Sequence, residues 1–224
     1  MASENPINVE MREGVAILHV DDGAVNALSY VLVSQLSEAI VVAQDDASAS
    51  AIVLAGNQKC LSAGLDLNEV QKGPEAAQAI IQAAGQLFGA LFTCPKPIVV
   101  ACTGHAMAGG AVILVTGDYH IGRAGKYKIG YSEVPIGIAL PDAAIAMSQY
   151  RMTGAAAEIA SLGEITDPEG ALKLGFFDEL VDGDRDAVVA AAHARAAALG
   201  ARPAEAYAQT KLSARADVIA KFYS

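Results

Sequence analysis

Short apolar runs alternate with longer amphipathic stretches along the first part of the chain. Val15–Val20, Ala51–Ala55 and Ile98–Cys102 are runs of aliphatic and branched residues with few polar interruptions. Runs of this length and composition predict buried strands. Residues 119–122 predict a further strand in the same way.

The segments between these strands carry apolar residues at helical spacing. In residues 29–43, Leu32 and Leu36 fall on one face of a helix, and residues 75–92 and 110–115 also predict helices. Because strands and helices alternate along the chain, the pattern predicts an α/β fold.

Strands become scarce after Pro141, and the rest of the chain predicts helices. These helices are expected at residues 143–152, 155–162, 168–174, 187–199 and 203–222. We therefore expect an α/β core over residues 1–140 and a helical region over residues 141–224. The helical region is rich in alanine, and alanine-rich helices with few charges predict faces that other subunits cover. We therefore expect this region to pack on the core and on neighbouring subunits of a homo-oligomer.

The charge balance argues against a nucleic-acid partner. Fifteen Lys and Arg residues stand against 25 Asp and Glu residues, for a formal net charge of −10, and no basic run is present. No window reaches the ~18 uninterrupted apolar residues of a membrane span. Residues 1–6 lack the basic start and apolar stretch of a targeting peptide. We expect a cytoplasmic protein with no membrane partner.

Cysteine and histidine residues show no metal-binding or disulfide pattern. The three cysteines, Cys60, Cys94 and Cys102, form no C-x-x-C pair, which predicts reduced thiols. His19, His120 and His193 also lack ligand spacing, so no metal site is predicted.

Two glycine-containing turns each follow a predicted strand and lead into a predicted helix. The first is residues 61–66 (Leu-Ser-Ala-Gly-Leu-Asp) and the second is residues 104–111 (Gly-His-Ala-Met-Ala-Gly-Gly-Ala). A helix start leaves backbone N–H groups without partners, and small residues allow a ligand to approach them. Either turn alone is typical of a tight connection. If the two converge, the N–H groups of Leu65 and Gly109 share one oxygen and stabilise an enolate.

Glu133 is the candidate acid/base. It is followed by Val134, Pro135, Ile136 and Ile138, and an apolar environment raises the pKa of a carboxyl group toward that of a useful general base. A solvated surface carboxylate is the ordinary alternative for a single glutamate.

Four segments together resemble the crotonase superfamily, the enoyl-CoA hydratases and isomerases. They are Asn-Ala-Leu at residues 26–28, the turn at 62–66, Ala-Gly-Gly at 108–110 and the Glu133 segment at 130–138. The resemblance implies a spiral of β-β-α units with a C-terminal helical trimerisation region. It also implies an acyl-CoA thioester substrate, a homotrimer or dimer of trimers, and no cofactor beyond the coenzyme A of the substrate.

The resemblance assigns site residues by position. Leu65 and Gly109 would supply N–H donors, and Glu133 would be catalytic. Residues expected to contact the substrate are Ala27, Ala63, Asp66, Leu67, Val112 and Ile136. Asp66 is preferred as the N-cap of a helix beginning at Leu67.

In this sequence, one of the two catalytic glutamates that the hydratases carry is replaced by another residue. Its position, three residues beyond Gly109, is Val112, which can neither orient water nor move a proton. A single carboxylate beside two N–H donors suits a shuttle that moves a β,γ double bond to the α,β position. This favours the 3,2-enoyl-CoA isomerases.

Several alternatives stay open at this point. Glu133 alone could activate water in a hydratase or dehydratase, and thioester hydrolysis, decarboxylation, C–C cleavage or acyl-CoA binding without catalysis fit the same turns. A relative of the spiral serine proteases is disfavoured, since no Ser-His-Asp order lies on the required turns. His105 and Asp118 are expected to be structural. Lys126, Lys128 and Lys211 are candidate cations for the CoA phosphates.

Overall fold

A computed structural model describes residues 5–222. The prediction that no targeting peptide is present rests partly on residues 1–4, which lie outside the described residues. The described strands are β1 (Ile7–Arg12), β2 (Val15–Val20), β3 (Ala51–Ala55), β4 (Cys60–Ser62), β5 (Ile98–Cys102), β6 (His105–Met107), β7 (Tyr119–Arg123), β8 (Ile129–Gly130) and β9 (Glu179–Val181). The described helices are α1 (Tyr30–Asp45), α2 (Leu67–Val70), α3 (Pro74–Thr93), α4 (Gly109–Leu114), α5 (Asp142–Arg151), α6 (Gly154–Ser161), α7 (Pro168–Leu174), α8 (Arg185–Gly200), α9 (Ala204–Ala214) and α10 (Ala216–Ala220), with a 3-10 turn at Val134–Ile136.

The strands form two sheets. The larger has the order β1-β2-β3-β5-β7-β9, and the smaller has the order β4-β6-β8. The β1–β2 pair is antiparallel, and the other pairs are parallel. Along the chain, β3, β5 and β7 of the large sheet are each followed by a strand of the small sheet. Helices follow each such pair, which confirms the predicted spiral of β-β-α units.

The side chains of the large sheet alternate between two apolar layers, as the pleat requires. Val53 and Val99 face α8, where they pack with Val188 and Ala192. Neighbouring positions such as Leu54 and Val100 face the opposite way, into the main core with α1, α3 and α4. The strands are buried on both faces, which explains why they read as continuous apolar runs.

The long strands and most helices lie where the apolar pattern predicts them, but several short elements differ. β1 was not predicted because, of its six residues, only Ile7 is buried. β4, β6 and β8 have two or three residues each, too few to show a period. The single helix predicted over residues 203–222 is divided into α9 and α10 at Arg215.

The region after residue 140 is less separate from the core than the sequence suggested. β9 pairs with β7 in the large sheet, and α8 packs on β3, β5 and β7. Part of this predominantly helical region therefore completes the core layers. In residues 5–222, no helix has the length and apolar character that crossing a membrane requires.

Candidate active site

The two glycine-containing turns lie side by side at one edge of the small sheet. β4 and β6 pair in parallel, with Ser62 opposite Ala106, so the segments that follow them leave the sheet at the same edge. Gly64 has a φ of +94° and no room for a side chain. A Cβ at this position would lie 2.6 Å from Cβ of Ala108 and 3.2 Å from N of Gly109. The two turns are therefore in direct contact, which is the convergence that a shared oxygen site requires.

The two candidate donors are unpaired. The N–H of Leu28 donates to the Gly64 carbonyl, and the N–H of Asp66 donates to the Leu28 carbonyl. Between them the N–H of Leu65 has no hydrogen-bond partner among residues 5–222, and neither has the N–H of Gly109 at the start of α4. Free N–H groups on adjacent turns are the geometry that two donors need to bind a single oxygen.

Asn26 holds the first turn in place, a role that the sequence analysis did not assign. This residue is fully buried with a φ of +49°, a conformation that asparagine tolerates. Its Nδ2 donates to the carbonyls of Val20, Cys60 and Leu61 at 2.9, 3.3 and 3.2 Å. The hydroxyl of Ser62 donates to the Asn26 carbonyl. The Asn26 side chain thus joins β2 to the strand that precedes the turn.

Replacing Asn26 by aspartate should lower the free energy of unfolding by about 3 kcal/mol, because a buried carboxylate would face carbonyl oxygens with no donor between them. Urea denaturation at neutral pH measures this loss. Asn8→Asp, the same exchange at an exposed position of β1, is the control and should have little effect. Equal stability of the two variants would contradict the role assigned to Asn26.

A mainly apolar cavity of about 240 Å³ opens beside the two turns. Its wall is formed by α3, α4, α5 and the segment after Glu133, and it comprises Leu65, Ile81, Ala84, Gly85, Phe88, Gly109, Val112, Glu133, Ile138, Ala139, Pro141, Ala143, Ala144, Met147 and Phe222. Glu133 is the sole titratable residue of this wall, considering the described part of the chain. The structure therefore brings the predicted Leu65, Gly109, Val112 and Glu133 together around one space.

The Glu133 carboxyl group is half-buried, and its Oε2 is buried without a hydrogen-bond partner among residues 5–222. Burial raises the pKa of Glu133 above its ordinary value, and the backbone amides of Ser132 and Glu133 oppose that effect in part. The direction agrees with the sequence prediction, but the surroundings differ. Val134 and Ile136 face outward, and the apolar wall comes largely from helices distant in sequence.

The other predicted contact residues do not line this cavity. Ala63 and Leu67 are exposed, and Ile136 is 65% exposed. The N–H of Ala27 donates to the carboxylate of Asp22. Asp66 is the N-cap of α2, since its carboxylate accepts from the N–H of Asn68.

Lys211 is engaged in a structural pair, so the expectation that it holds a CoA phosphate does not fit. Its buried ammonium donates to Asp118 at 2.7 Å and to the Lys96 carbonyl at 3.0 Å. Asp118 also accepts from Arg215 and from the N–H of Ile98, which agrees with its expected structural role. Lys126 and Lys128 are exposed and remain candidates.

The remaining reactive side chains do not enter the cavity. Nδ1 of His105 accepts from the N–H of Lys128, and its ring packs edge-on against Tyr127. The three cysteines are free and buried, and burial raises the pKa of Cys102 to about 12. No group of three or more His, Cys, Asp or Glu side chains within residues 5–222 is arranged to hold a metal ion.

Ala108 stores backbone strain at the start of α4. Its φ of 51° and ψ of −125° lie in a region that favours glycine. Ala108→Gly should raise the free energy of unfolding by about 1 kcal/mol, since relief of about 1–3 kcal/mol of strain exceeds the entropic cost of glycine. Thermal and urea denaturation measure this gain. Ala24→Gly, at an exposed loop position without positive φ, should instead destabilise slightly. A lower stability of Ala108→Gly would contradict the assignment of strain.

Comparison with known proteins gives one consistent family. The family model described as enoyl-CoA hydratase/isomerase matches residues 10–221. The chain is 32% identical over 209 residues to the probable enoyl-CoA hydratase echA17 of Mycobacterium avium, covering 90% of this chain and 79% of that protein. It is 30% identical over 175 residues to a probable enoyl-CoA hydratase of Bacillus subtilis, covering 76% of this chain and 67% of that protein.

Solved structures with the same fold carry both reaction names. The enoyl-CoA isomerase of Mycobacterium tuberculosis superposes with a TM-score of 0.91 at 34% identity, covering 99% of this chain and 96% of that one. Enoyl-CoA hydratase EchA3 of Mycobacterium ulcerans gives 0.90 at 34% identity, covering 97% and 95%. Human mitochondrial delta3-delta2-enoyl-CoA isomerase gives 0.91 at 27% identity, covering 97% and 86%. Overall similarity therefore does not separate the two reactions.

Proposed function

Because the chain belongs to the enoyl-CoA hydratase/isomerase family, an enzyme family that acts on acyl-CoA thioesters, we propose that it is a 3,2-enoyl-CoA isomerase. The observation that carries the proposal is the single carboxylate of Glu133 in a cavity otherwise lined by uncharged residues. In this proposal the enzyme needs no cofactor beyond the coenzyme A of its substrate.

The first step forms an enolate. The thioester carbonyl oxygen accepts hydrogen bonds from the N–H groups of Leu65 and Gly109, and the Glu133 carboxylate removes a proton from C2. The electron pair of the C–H bond moves to form the C1–C2 double bond, and negative charge develops on the oxygen. Each preorganised donor contributes about 3 kcal/mol to stabilising that charge. Both N–H groups are available, because no group in the described residues 5–222 accepts a hydrogen bond from them.

The second step returns the proton. Protonated Glu133 donates to C4, the C3–C4 electron pair accepts the proton, and the C2–C3 double bond forms as the carbonyl is restored. The raised pKa of Glu133 suits both halves of this shuttle, since the group must accept and then release one proton. Val112, in the position of a second glutamate, leaves no group beside C3 to hold water.

A hydratase is the second candidate because the curated relatives of this chain carry that name. In that reaction Glu133 alone would take a proton from a water molecule as its oxygen adds to C3 of the conjugated thioester, and would then return that proton to C2 of the resulting enolate. The unpartnered Oε2 of Glu133 is an available acceptor for such a water. The two reactions therefore differ in whether an oxygen from solvent enters the product.

Incubation in heavy-oxygen water separates the candidates. The protein is given 3-enoyl-CoA and, separately, 2-enoyl-CoA, and products are followed by ultraviolet absorbance and mass spectrometry. Conversion of 3-enoyl-CoA to the conjugated 2-enoyl-CoA without label supports the isomerase. A labelled 3-hydroxyacyl-CoA as the main product would establish the hydratase instead, and binding without conversion of either substrate would contradict both.

We also propose that the protein works as a homotrimer or dimer of trimers. Exposed apolar side chains support this, among them Val41 and Val42 on α1 and Leu162 after α6, because such side chains are typically covered in an assembly. Light scattering coupled to size-exclusion chromatography should give three or six times the 22.9 kDa chain mass. A monomer at micromolar concentration would contradict the proposal.

A further inference from the structure

A second and larger cavity lies outside the proposed acyl site. Its volume is about 680 Å³, it is open to solvent, and it is bordered by α9, the end of α5 and the segment leading into β7. It shares no lining residue with the cavity that contains Glu133. Six side chains of its wall carry a carboxylate, an imidazole or a cationic group: Asp118, His120, Arg151, Arg202, Lys211 and Arg215.

This wall has an excess of positive charge. Four cationic side chains line the cavity against two carboxylates, Asp118 in its wall and Asp178, which pairs with Arg151 at 2.8 Å. Lys211 and Arg215 are both buried and share that carboxylate, at 2.7 and 2.9 Å. Desolvated cations that outnumber their counter-charges are unfavourable unless an anion compensates them. The excess is notable in a chain whose formal net charge is −10.

Arg202 has its whole guanidinium free for a ligand. Within residues 5–222 its side chain makes no hydrogen bond and no ion pair, and it lies at the exposed rim of the cavity. A guanidinium offers paired N–H donors that match phosphate and carboxylate oxygens. An anion that binds Arg202 therefore does not have to displace a protein group from the guanidinium.

Arg151 supplies a second, independent observation at the cavity wall. Its guanidinium pairs with Asp178 at 2.8 Å, but its Nε is buried without a partner among the described residues. A buried N–H without an acceptor is uncommon in folded proteins, and an anion in this cavity would supply one. His120 also lines the cavity, but its Nδ1 donates to the Asp178 carboxylate at 3.0 Å and burial lowers its pKa, so its free Nε2 is an acceptor and does not attract an anion.

We propose that this cavity is a binding site for a small anion that carries a phosphate or carboxylate group, separate from the site of acyl-CoA chemistry. Arg202 contacts the anionic group directly. Lys211 and Arg215 keep their structural contacts with Asp118, whose single charge balances only one of the two cations, and Arg151 presents its unpartnered Nε at the wall. Phosphate and carboxylate groups both present oxygens that a cationic wall binds. The experiment below therefore tests the two groups separately.

Isothermal titration calorimetry on the full chain, in a buffer free of both groups, tests the proposal with inorganic phosphate, adenosine monophosphate and citrate as probes. We expect at least one probe to bind one site per chain with a Kd below about 1 mM. Affinity for phosphate and adenosine monophosphate identifies a phosphate site, and affinity for citrate alone identifies a carboxylate site. Failure of all three probes to bind would overturn the proposal.

Arg202→Ala should weaken the bound probe by about tenfold to a hundredfold, as expected for loss of a charge-assisted contact. Arg202→Lys should retain part of the affinity. Arg12→Ala, which removes an exposed cation from a different groove, is the matched control and should leave binding unchanged. Unchanged binding by Arg202→Ala would overturn the assignment.

Two further measurements distinguish a failure of the anion site from a failure of the proposed isomerase function. Turnover of 3-enoyl-CoA by Arg202→Ala should equal that of the unaltered protein, and a higher KM for the acyl-CoA would mean that the cavity holds part of the substrate. Light scattering with and without the probe should show an unchanged mass. If the probe instead dissociates the oligomer, a second copy of the chain fills the cavity and the proposal is wrong.

Discussion

Glu133→Gln should lower turnover of a 3-enoyl-CoA by about a thousandfold, within the range that general acid–base catalysis contributes. Glutamine keeps the size of the side chain and its place in the cavity but cannot accept the C2 proton. No other titratable side chain among the described residues lines the cavity to replace it. Initial rates from the absorbance of the conjugated thioester measure the loss.

Two variants show whether that loss belongs to the cavity. Glu133→Asp keeps a carboxylate but withdraws it by one methylene, so its turnover should fall between those of the other two proteins. Glu164→Gln makes the same exchange at an exposed position and should leave turnover unchanged. Full activity of Glu133→Gln would exclude a proton shuttle through this residue.

Glu133→Gln should preserve or raise the free energy of unfolding, although it lowers turnover. The folded-state pKa of Glu133 is raised by burial, so the carboxyl group is less readily ionised in the folded than in the unfolded chain. Stability is therefore highest below the unfolded pKa and decreases as pH rises through the window up to the raised folded pKa. At neutral pH, Glu133→Gln removes this destabilisation, and its free energy of unfolding should be no lower than that of the parent. A large loss of stability would mean that Glu133 is structural.

The sequence predicts the fold well where its signal is local and long enough to show a period. The apolar runs of β2, β3 and β5 and the periodic helices α1 and α3 are of this kind. The strands of the small sheet are too short for a pattern, although they place both turns. β1 is hidden because most of its side chains are exposed.

The residues of the candidate site also divide into those with a local sequence signal and those without one. Leu65, Gly109 and Glu133 could be proposed from the sequence because the motifs that carry them are contiguous. The acyl wall was not predicted, since Phe88, Met147 and Phe222 come from three distant parts of the chain. Sequence also could not show that Lys211 is buried against Asp118, because the two are 93 residues apart. Such pairings depend on tertiary packing, for which a single sequence carries no local signal.

Gly64→Ala should lower turnover by about a hundredfold to a thousandfold, the range measured for loss of an oxyanion donor. The added methyl would lie 2.6 Å from Cβ of Ala108 and 3.2 Å from N of Gly109, so the two turns must separate. The N–H groups of Leu65 and Gly109 then no longer reach one oxygen. Because the donors act on charge that develops in the transition state, kcat should fall more than KM rises.

Backbone strain alone must be separated from loss of the donor geometry. Gly175 has a φ of +96°, close to the +94° of Gly64, but a Cβ there would meet Met152 at 3.4 Å or more, an ordinary contact. Gly175→Ala should therefore lose stability through the same unfavourable φ while keeping turnover near that of the parent. Equal losses of turnover in the two variants would assign the effect to strain and remove the support for a shared oxyanion site.

A double variant tests the contact itself. Ala108→Gly removes the Cβ that the methyl of Gly64→Ala would meet, so the pair Gly64→Ala/Ala108→Gly should recover part of the lost turnover. The strained φ at residue 64 remains, so recovery should be greater for kcat than for the free energy of unfolding. Residues in contact give coupled effects in such a cycle, whereas independent sites give additive ones. Simple additivity in kcat would mean that the two turns do not act as one site.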